Sequence, residues 1–339
     1  MRINGVRKAH DDSIAKQFTQ KVAQDARRNT IRDAAPAIVL AVMTLWCCIF
    51  VKGFMTWKNF SNLLFQMTVP LVLATGLTFV LLVGGIDLSL EGVMGFAASA
   101  AALGIKNSIN NNDFGIWAIL AVIIVGTLFG ALIGLIHVKL RIPSFMVTYT
   151  MGTVINGVGL LLYKGTPATI KDETLIKLSR GTICDVPYLT LIAFVVFIIG
   201  YIILNYTAFG RAVYAVGDNP NVAKAAGINI ERTKVKIFAL CSCTASIAGV
   251  LGLIRLKTGQ VGVGQNNLFP TITAVTVGGI AAGRGGMIQT LIGVIFYTEL
   301  ANYLTLMGVD AFYKQAIQGI IILVAVMLSA NRGRKTIVK

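Results

Sequence analysis

Charge is what this 339-residue chain most lacks. Only 13% of its residues are Asp, Glu, Lys or Arg, against 55% hydrophobic, and a soluble domain carries about twice that share of charge. Histidine is nearly absent, with His10 and His137 the only two, so a Ser-His-Asp or Cys-His nucleophile has almost no base available. No G-x-x-x-x-G-K-[ST], H-E-x-x-H or G-x-S-x-G occurs, which leaves the chain without a Walker A cradle, a zinc-protease helix or a nucleophile elbow. Of five cysteines, Cys47, Cys48, Cys241 and Cys243 sit in apolar runs and Cys184 stands without a partner in a polar loop. "CSC" at 241–243 lacks the histidines and second pair of a zinc site. No catalytic, cofactor-binding or metal-ligating residue is assigned, and the chain does not read as an enzyme.

What is present is a series of long apolar blocks without the period of a half-wetted helix, and helices apolar all round are buried or lie in lipid. The fold class is therefore an all-α polytopic membrane protein. About ten transmembrane helices are expected, near 36–55, 62–83, 90–105, 115–138, 144–163, 187–206, 235–254, 270–283, 286–305 and 313–330. The third and eighth are short for a full crossing and read as tilted, broken or re-entrant. A β-barrel would alternate every second residue, and this chain does not.

The formal net charge of +16 is a topology signal, not a nucleic-acid patch. With the N-terminus in the cytoplasm, twenty Lys and Arg fall on the cytoplasmic side and ten on the other, the positive-inside pattern. Both termini are expected in the cytoplasm. The organisation is a basic cytoplasmic tail at 1–34, poorly ordered or amphipathic, a transmembrane domain at 35–330 with a cytoplasmic loop at 207–234, and a cytoplasmic tail at 331–339. No cleavable signal peptide is apparent.

Transport is the natural reading for such a chain. Ion-coupled carriers usually hold ionisable groups in mid-membrane, and here the candidates are few. "GGIDLSLEG" places Asp87 and Glu91 at a break between spans. Gly84 and Gly85 end the second span, Asp87 or Ser89 caps the third, and Glu91 lies in its first turn, where the helix dipole favours negative charge. This puts both carboxylates at a wet cytoplasmic boundary. The other reading has Asp87 or Ser89 reaching a solute from a broken helix end. Glu299 lies well inside the ninth span, as a packed carboxyl or a cavity group. Gln66, Tyr149, Asn156 and Asn302 are polar groups in apolar spans, able to join helices or to contact a passing solute.

The long polar segment "TAFGRAVYAVGDNPNVAKAAGINIERTK", 207–234, contains a short helix with both end signals. Asn219 is its N-cap, Pro220 its first position, and Gly227 its left-handed stop. Its apolar face is only Val222, Ala223, Ala225 and Ala226. Such a helix suits docking into a groove of another protein, or it is a capped surface helix of a long loop.

At this point several stretches resemble a known family. "FGRAVYAVGDNPNVAKAAGI" is similar to the coupling-loop signature of the monosaccharide permeases of bacterial ATP-binding cassette importers, the ribose and methyl-galactoside type. "GGIDLSLEGVMGF", "IPSFMVTYTMGTVINGVGLLLY" with Pro143, Phe145, Thr148 and Gly152, "VGGIAAGRGGM" and "GVDAFYKQAIQGIIILVAV" resemble further motifs in the same order, over about 36–330. The resemblance implies a permease subunit in the bacterial inner membrane, paired with a second permease chain as a homo- or heterodimer. Separate cytoplasmic ATPase subunits would carry the ATP and magnesium, and an external or periplasmic binding protein would deliver a sugar. Gly210, Arg211, Gly217, Asn219, Pro220, Ala223, Ala226 and Gly227 would then couple the chain to its ATPase. Asp87, Ser89, Glu91, Gln66, Tyr149, Asn156, Glu299 and Asn302 are the candidates for the translocation path. One departure stands out: family members carry an acidic E-L-D where this chain has Leu268, Phe269 and Pro270. The competing expectation is an ion-coupled secondary carrier of a small polar solute.

Overall fold

A computed structural model describes residues 34–310, 313, 314, 316–320 and 323. The basic N-terminal tail, most of the tenth apolar block and the C-terminal tail lie outside the described residues. The other nine blocks are helical. They become α1 (Ala34–Phe50), α2 (Trp57–Leu82), α3 (Leu90–Gly104), α4 (Ile116–Lys139), α5 (Ser144–Tyr163), α7 (Tyr188–Tyr206), α10 (Ile230–Leu256), α11 (Leu268–Val277) and α12 (Met287–Leu306). Between them, α6 (Glu173–Arg180) lies in the loop before α7, and α8 (Ala208–Asp218) and α9 (Pro220–Ala225) follow α7. Of these, α2, α4, α5, α7 and α10 are long and apolar enough to cross a membrane. The chain is a multi-pass, all-helical membrane protein.

Two helices form the axis of the bundle. In α2 and α10 most residues are buried, including Leu71, Phe79, Phe238 and Cys241. Helices buried all round need no amphipathic stripe. By contrast α4, α5 and α7 bury one narrow face and leave Leu128, Leu132, Leu161 and Ile198 exposed, as lipid-facing helices do.

The α4–α10 contact is set by glycine. Gly126, Gly130 and Gly134 recur every fourth residue, so they fall on one face of α4. A Cβ on Gly126 would sit 1.8 Å from Ser246 Oγ, and one on Gly130 would sit 2.3 Å from the Phe238 carbonyl oxygen. Lipid tails are as apolar as leucine, so membrane helices associate through such close backbone packing.

The short third and eighth segments are explained by where they begin. A Cβ on Gly92, in the first turn of α3, would meet the Gly152 carbonyl oxygen at 2.2 Å, and Gly152 lies near the middle of α5. So α3 starts inside the bundle and runs one way out of it. The 10-residue α11 likewise starts inside, after an extended segment and a short 3-10 turn at Val261–Val263. On the face where α3 ends, β1 (Ala168–Thr169) pairs antiparallel with β4 (Thr258–Gly259), and β2 (Thr182–Ile183) forms a hairpin with β3 (Val186–Pro187).

Replacing Gly130 with valine should drive α4 off α10 and cost at least ~2 kcal/mol by overpacking. Leu128→Val, on the exposed face, should stay within about 0.5 kcal/mol. Thermal unfolding of the two detergent-solubilised variants checks this, and equal stability would contradict the glycine contact.

Candidate functional site

The break after α2 is built from local rules and long-range partners together. Gly84 adopts φ +73°; its N–H donates to the Leu81 carbonyl and that of Gly85 to the Val80 carbonyl, both at 3.0 Å. This is a Schellman end, which glycine permits. Beyond it the chain turns back into the bundle instead of leaving it. Its backbone groups there find acceptors on α5: Ile86 N–H donates to Ser144 Oγ at 3.3 Å and Leu88 N–H to Thr148 Oγ1 at 3.0 Å. Irregular backbone inside a membrane domain requires such partners.

Asp87 therefore does not sit at a wet boundary, whereas Glu91 is half-buried. Asp87 and Ser89 are fully buried, and the Cys241 thiol of α10 packs against Asp87. Asp87 Oδ1 accepts from Ser89 N–H at 2.9 Å and from Ser89 Oγ at 2.5 Å. Ser89 occupies the N-cap position of α3, yet its hydroxyl accepts no bond from the helix. The expected cap is thus replaced by an Asp87–Ser89 turn. Asp87 Oδ2 has no hydrogen-bond donor among the described residues.

Glu91 does lie in the first turn of α3, but its carboxylate serves another helix. Glu91 Oε1 accepts from Asn267 N–H and Leu268 N–H, each at 3.0 Å, and so caps the N-terminus of α11. Leu268, Phe269 and Pro270 supply no charge there, and proline is tolerated because first-turn N–H groups have no intrahelical acceptor. The negative charge favoured at this helix end comes from 177 residues away.

Beside this cap lies a polar cavity of about 360 Å³, lined by Gln66, Arg255, Gln265, Asn266, Asn267 and Tyr297 among others. Gln66 was expected in a path; the other five were not. Arg255 ends the apolar run of α10 and reads as a loop charge in sequence, yet its guanidinium stacks 4.7 Å from the Phe65 ring centroid. The remaining candidates disperse. Glu299 accepts from Thr44 Oγ1 at 2.9 Å and borders a separate, largely apolar cavity of about 540 Å³ with Trp57 and Phe60. Asn302 Nδ2 donates to Asn59 Oδ1 at 2.9 Å and joins α12 to α2. On α5, Tyr149 stands exposed and Asn156 is half-buried.

At the other end of α2, the 207–234 segment folds from its own signals. Thr207 caps α8 through its hydroxyl, which accepts from Gly210 N–H at 3.2 Å. Asn219 Oδ1 accepts from Asn221 N–H and Val222 N–H, and Pro220 opens α9. Gly227, at φ +81°, closes it, with Ile228 N–H donating to the Ala223 carbonyl at 3.0 Å. Ala223 alone is buried; Pro220, Val222, Ala226 and Gly227 face outward, as does Arg211 on α8.

The α8 helix is seated on backbone. A Cβ on Gly217 would lie 1.9 Å from the Leu82 carbonyl oxygen and 2.7 Å from Gly283 N, and Gly283 N–H donates to that same Leu82 carbonyl at 2.8 Å. Tyr214 Oη donates to the Gly285 carbonyl at 2.8 Å. Burial raises the phenol's pKa above its usual value, so this donor stays protonated at neutral pH. The glycine-rich stretch 278–286 is thus a tight turn under α8, without the strand and lysine of a phosphate cradle.

Removing the Glu91 carboxylate should leave two part-buried N–H groups without their acceptor. Glu91→Ala is expected to lower stability by about 1–3 kcal/mol, and Glu91→Gln, which keeps one acceptor, by less. Thermal unfolding in detergent measures both; an Ala variant as stable as the parent would contradict the cap.

Comparison with known proteins agrees with this architecture. Residues 59–326 match the family described as branched-chain amino acid transport system / permease component. The ribose import permease protein of Escherichia coli K12 is 31% identical over 301 residues, covering 87% of this chain and 92% of that protein. A probable ABC transporter permease protein of the same strain is 32% identical over 299 residues, 88% and 89% of the two chains. The galactose/methyl galactoside import permease protein of Haemophilus influenzae is 31% identical over 304 residues, 83% and 89%. No solved structure matches. With its full span of matching length and its buried, broken-helix core, the chain is a transport subunit rather than an enzyme, and it belongs to this family of transport-system permease components.

Proposed function

We propose that this permease subunit of an ABC importer moves a monosaccharide or similar small polyol across the bacterial inner membrane, with both termini in the cytoplasm. The observation that carries the reading is the similarity to a ribose permease over nearly the whole of both chains. The cavity bounded by Gln66, Arg255, Asn266 and Tyr297 supports it: hydroxyl-bearing solutes need amide, guanidinium and phenol groups, and its size lies within the range of small-molecule sites. Asp87, Ser89 and Glu91 form the inner part of the path as positioning groups, whereas Glu299 faces a separate, largely apolar cavity. Ten crossings, the tenth at 313–330, complete the topology. The family and the ABC relatives favour this reading over an ion-coupled carrier.

The energy would come from cytoplasmic ATPase subunits that carry ATP and magnesium, and the solute from an external binding protein. The α9 helix, with Asn219, Pro220, Ala226 and Gly227 outermost, is the docking element. Gly210 and Gly217 hold α8 against the bundle, so movement of α9 reaches α2 through Leu82. A second permease chain would complete the importer; on α5, Tyr149 stands exposed and Asn156 half-buried, away from the polar cavity.

Two variants test the coupling. Ala226→Trp adds bulk to an exposed position, and Gly227→Pro cannot adopt a positive φ. Each should abolish solute uptake while the protein remains inserted and folded, and normal uptake by either would refute the coupling role. Gln66→Leu should weaken uptake while ATPase co-purification is retained. Uptake of labelled ribose against unlabelled competitors distinguishes the solute class.

A further inference from the structure

A second polar cavity lies at the opposite end of α10, where the chain has gathered its positive charge. It measures about 360 Å³ and is lined by His137, Arg141, Pro143, Ile230, Glu231 and Lys234 among others. Three segments meet there: the last turn of α4, the short loop into α5, and the first turn of α10. His137 organises the wall. Its Nδ1 is 2.6 Å from the Ile142 carbonyl oxygen, so this nitrogen carries the proton. Nε2 is then an acceptor, and the Lys234 ammonium lies 3.4 Å from it. One lysine head is thereby held in place with N–H groups to spare.

The charge in the cavity is not balanced. Glu231 is already engaged by Lys139 at 3.4 Å. Arg141, at φ +56° between two helices, has no ion-pair partner among the described residues. Arg141 and Lys234 therefore present two uncompensated positive groups around one hollow. Flanking it, Leu140, Phe145 and Met146 are exposed apolar side chains, continuous with the outward leucine and isoleucine face of α4. A cavity that is cationic inside and apolar along one rim, at the end of a membrane-crossing helix, has the chemistry of a lipid headgroup site.

We infer that this cavity binds the phosphate of an anionic phospholipid of the cytoplasmic leaflet, with Arg141 and Lys234 on the phosphate and Leu140, Phe145 and Met146 against its acyl chains. Arg141 offers the fork geometry suited to a phosphate, and Lys234 a point charge fixed by His137. The site sits at the seam between α4 and α10, on the same face as α9 and remote from the solute cavity. It is independent of which sugar is carried.

The test uses the full chain in nanodiscs made from an equimolar mixture of phosphatidylglycerol and phosphatidylcholine with identical acyl chains, followed by native mass spectrometry of retained lipid. The parent chain is expected to keep phosphatidylglycerol preferentially. The R141Q/K234Q variant should lose that preference by about thirtyfold, at the contribution usual for two basic residues near a membrane surface. R141K/K234R should retain most of it, which separates lost charge from lost fold. Equal retention of the two lipids by the parent, or an unchanged preference in R141Q/K234Q, would overturn the inference. Displacement of phosphatidylglycerol by millimolar inorganic phosphate would replace the lipid with a small-anion site. Loss of ATPase co-purification in R141Q/K234Q with lipid preference intact would make the patch a partner surface instead.

Discussion

A helix that begins inside a membrane domain carries first-turn N–H groups with no intrahelical acceptor, and the irregular core of this molecule is arranged around that constraint. Glu91 resolves it for α11 by accepting from Asn267 and Leu268. One carboxylate oxygen accepts both bonds, so a single side chain satisfies two first-turn N–H groups. It also locks together two segments that enter the bundle as extended chain: the break after α2 and the approach to α11. The first is completed by Ser144 and Thr148 of α5, the second by the β1–β4 pairing at its outset. The polar cavity beside this cap occupies the space these irregular segments leave, since helices packed along their whole length would have filled it.

The opposite end of α2 shows the same economy with backbone instead of side chains. The Leu82 carbonyl accepts from Gly283 and lies under Gly217, so α8, the last turn of α2 and the 278–286 turn converge on one peptide group. Immediately past Leu82 the chain enters the Gly84–Ser89 break. A displacement of α8 thus arrives within two residues of the least regular part of the core. This is a physical linkage between the surface that carries α8 and α9 and a buried polar cluster, made by backbone contacts.

Much of this was legible in the sequence, for identifiable reasons. Apolar blocks locate helices because burying or solvating them in lipid is the only option, and nine such blocks contain helices, with ends that shift by up to six residues where a glycine turn or a polar start intervenes. The caps at Asn219, Pro220 and Gly227 are local, fixed by residues within a turn of one another. What misled was the direction of the chain after Gly84 and Gly85. Two glycines and a polar run look like an exit to water. Whether the chain leaves or turns back is decided by hydrogen-bond partners 58 to 177 residues distant, acceptors on α5 and donors at the start of α11, and no local pattern carries them. Arg255 was misread for the same reason: its partner is the face of Phe65, on another helix. The glycines of α4, spaced by four, were in plain view, but spacing does not reveal which helix they face.

That glycine seam also limits how the bundle can move. Ser246 and the Phe238 carbonyl fill the notches that Gly126 and Gly130 leave, and those notches recur every four residues, about 6 Å along the helix, so a small slide of α4 along α10 brings side chains into collision. Any such rearrangement has to take the two helices together. The seam therefore makes α4 and α10 a single mechanical unit within the bundle.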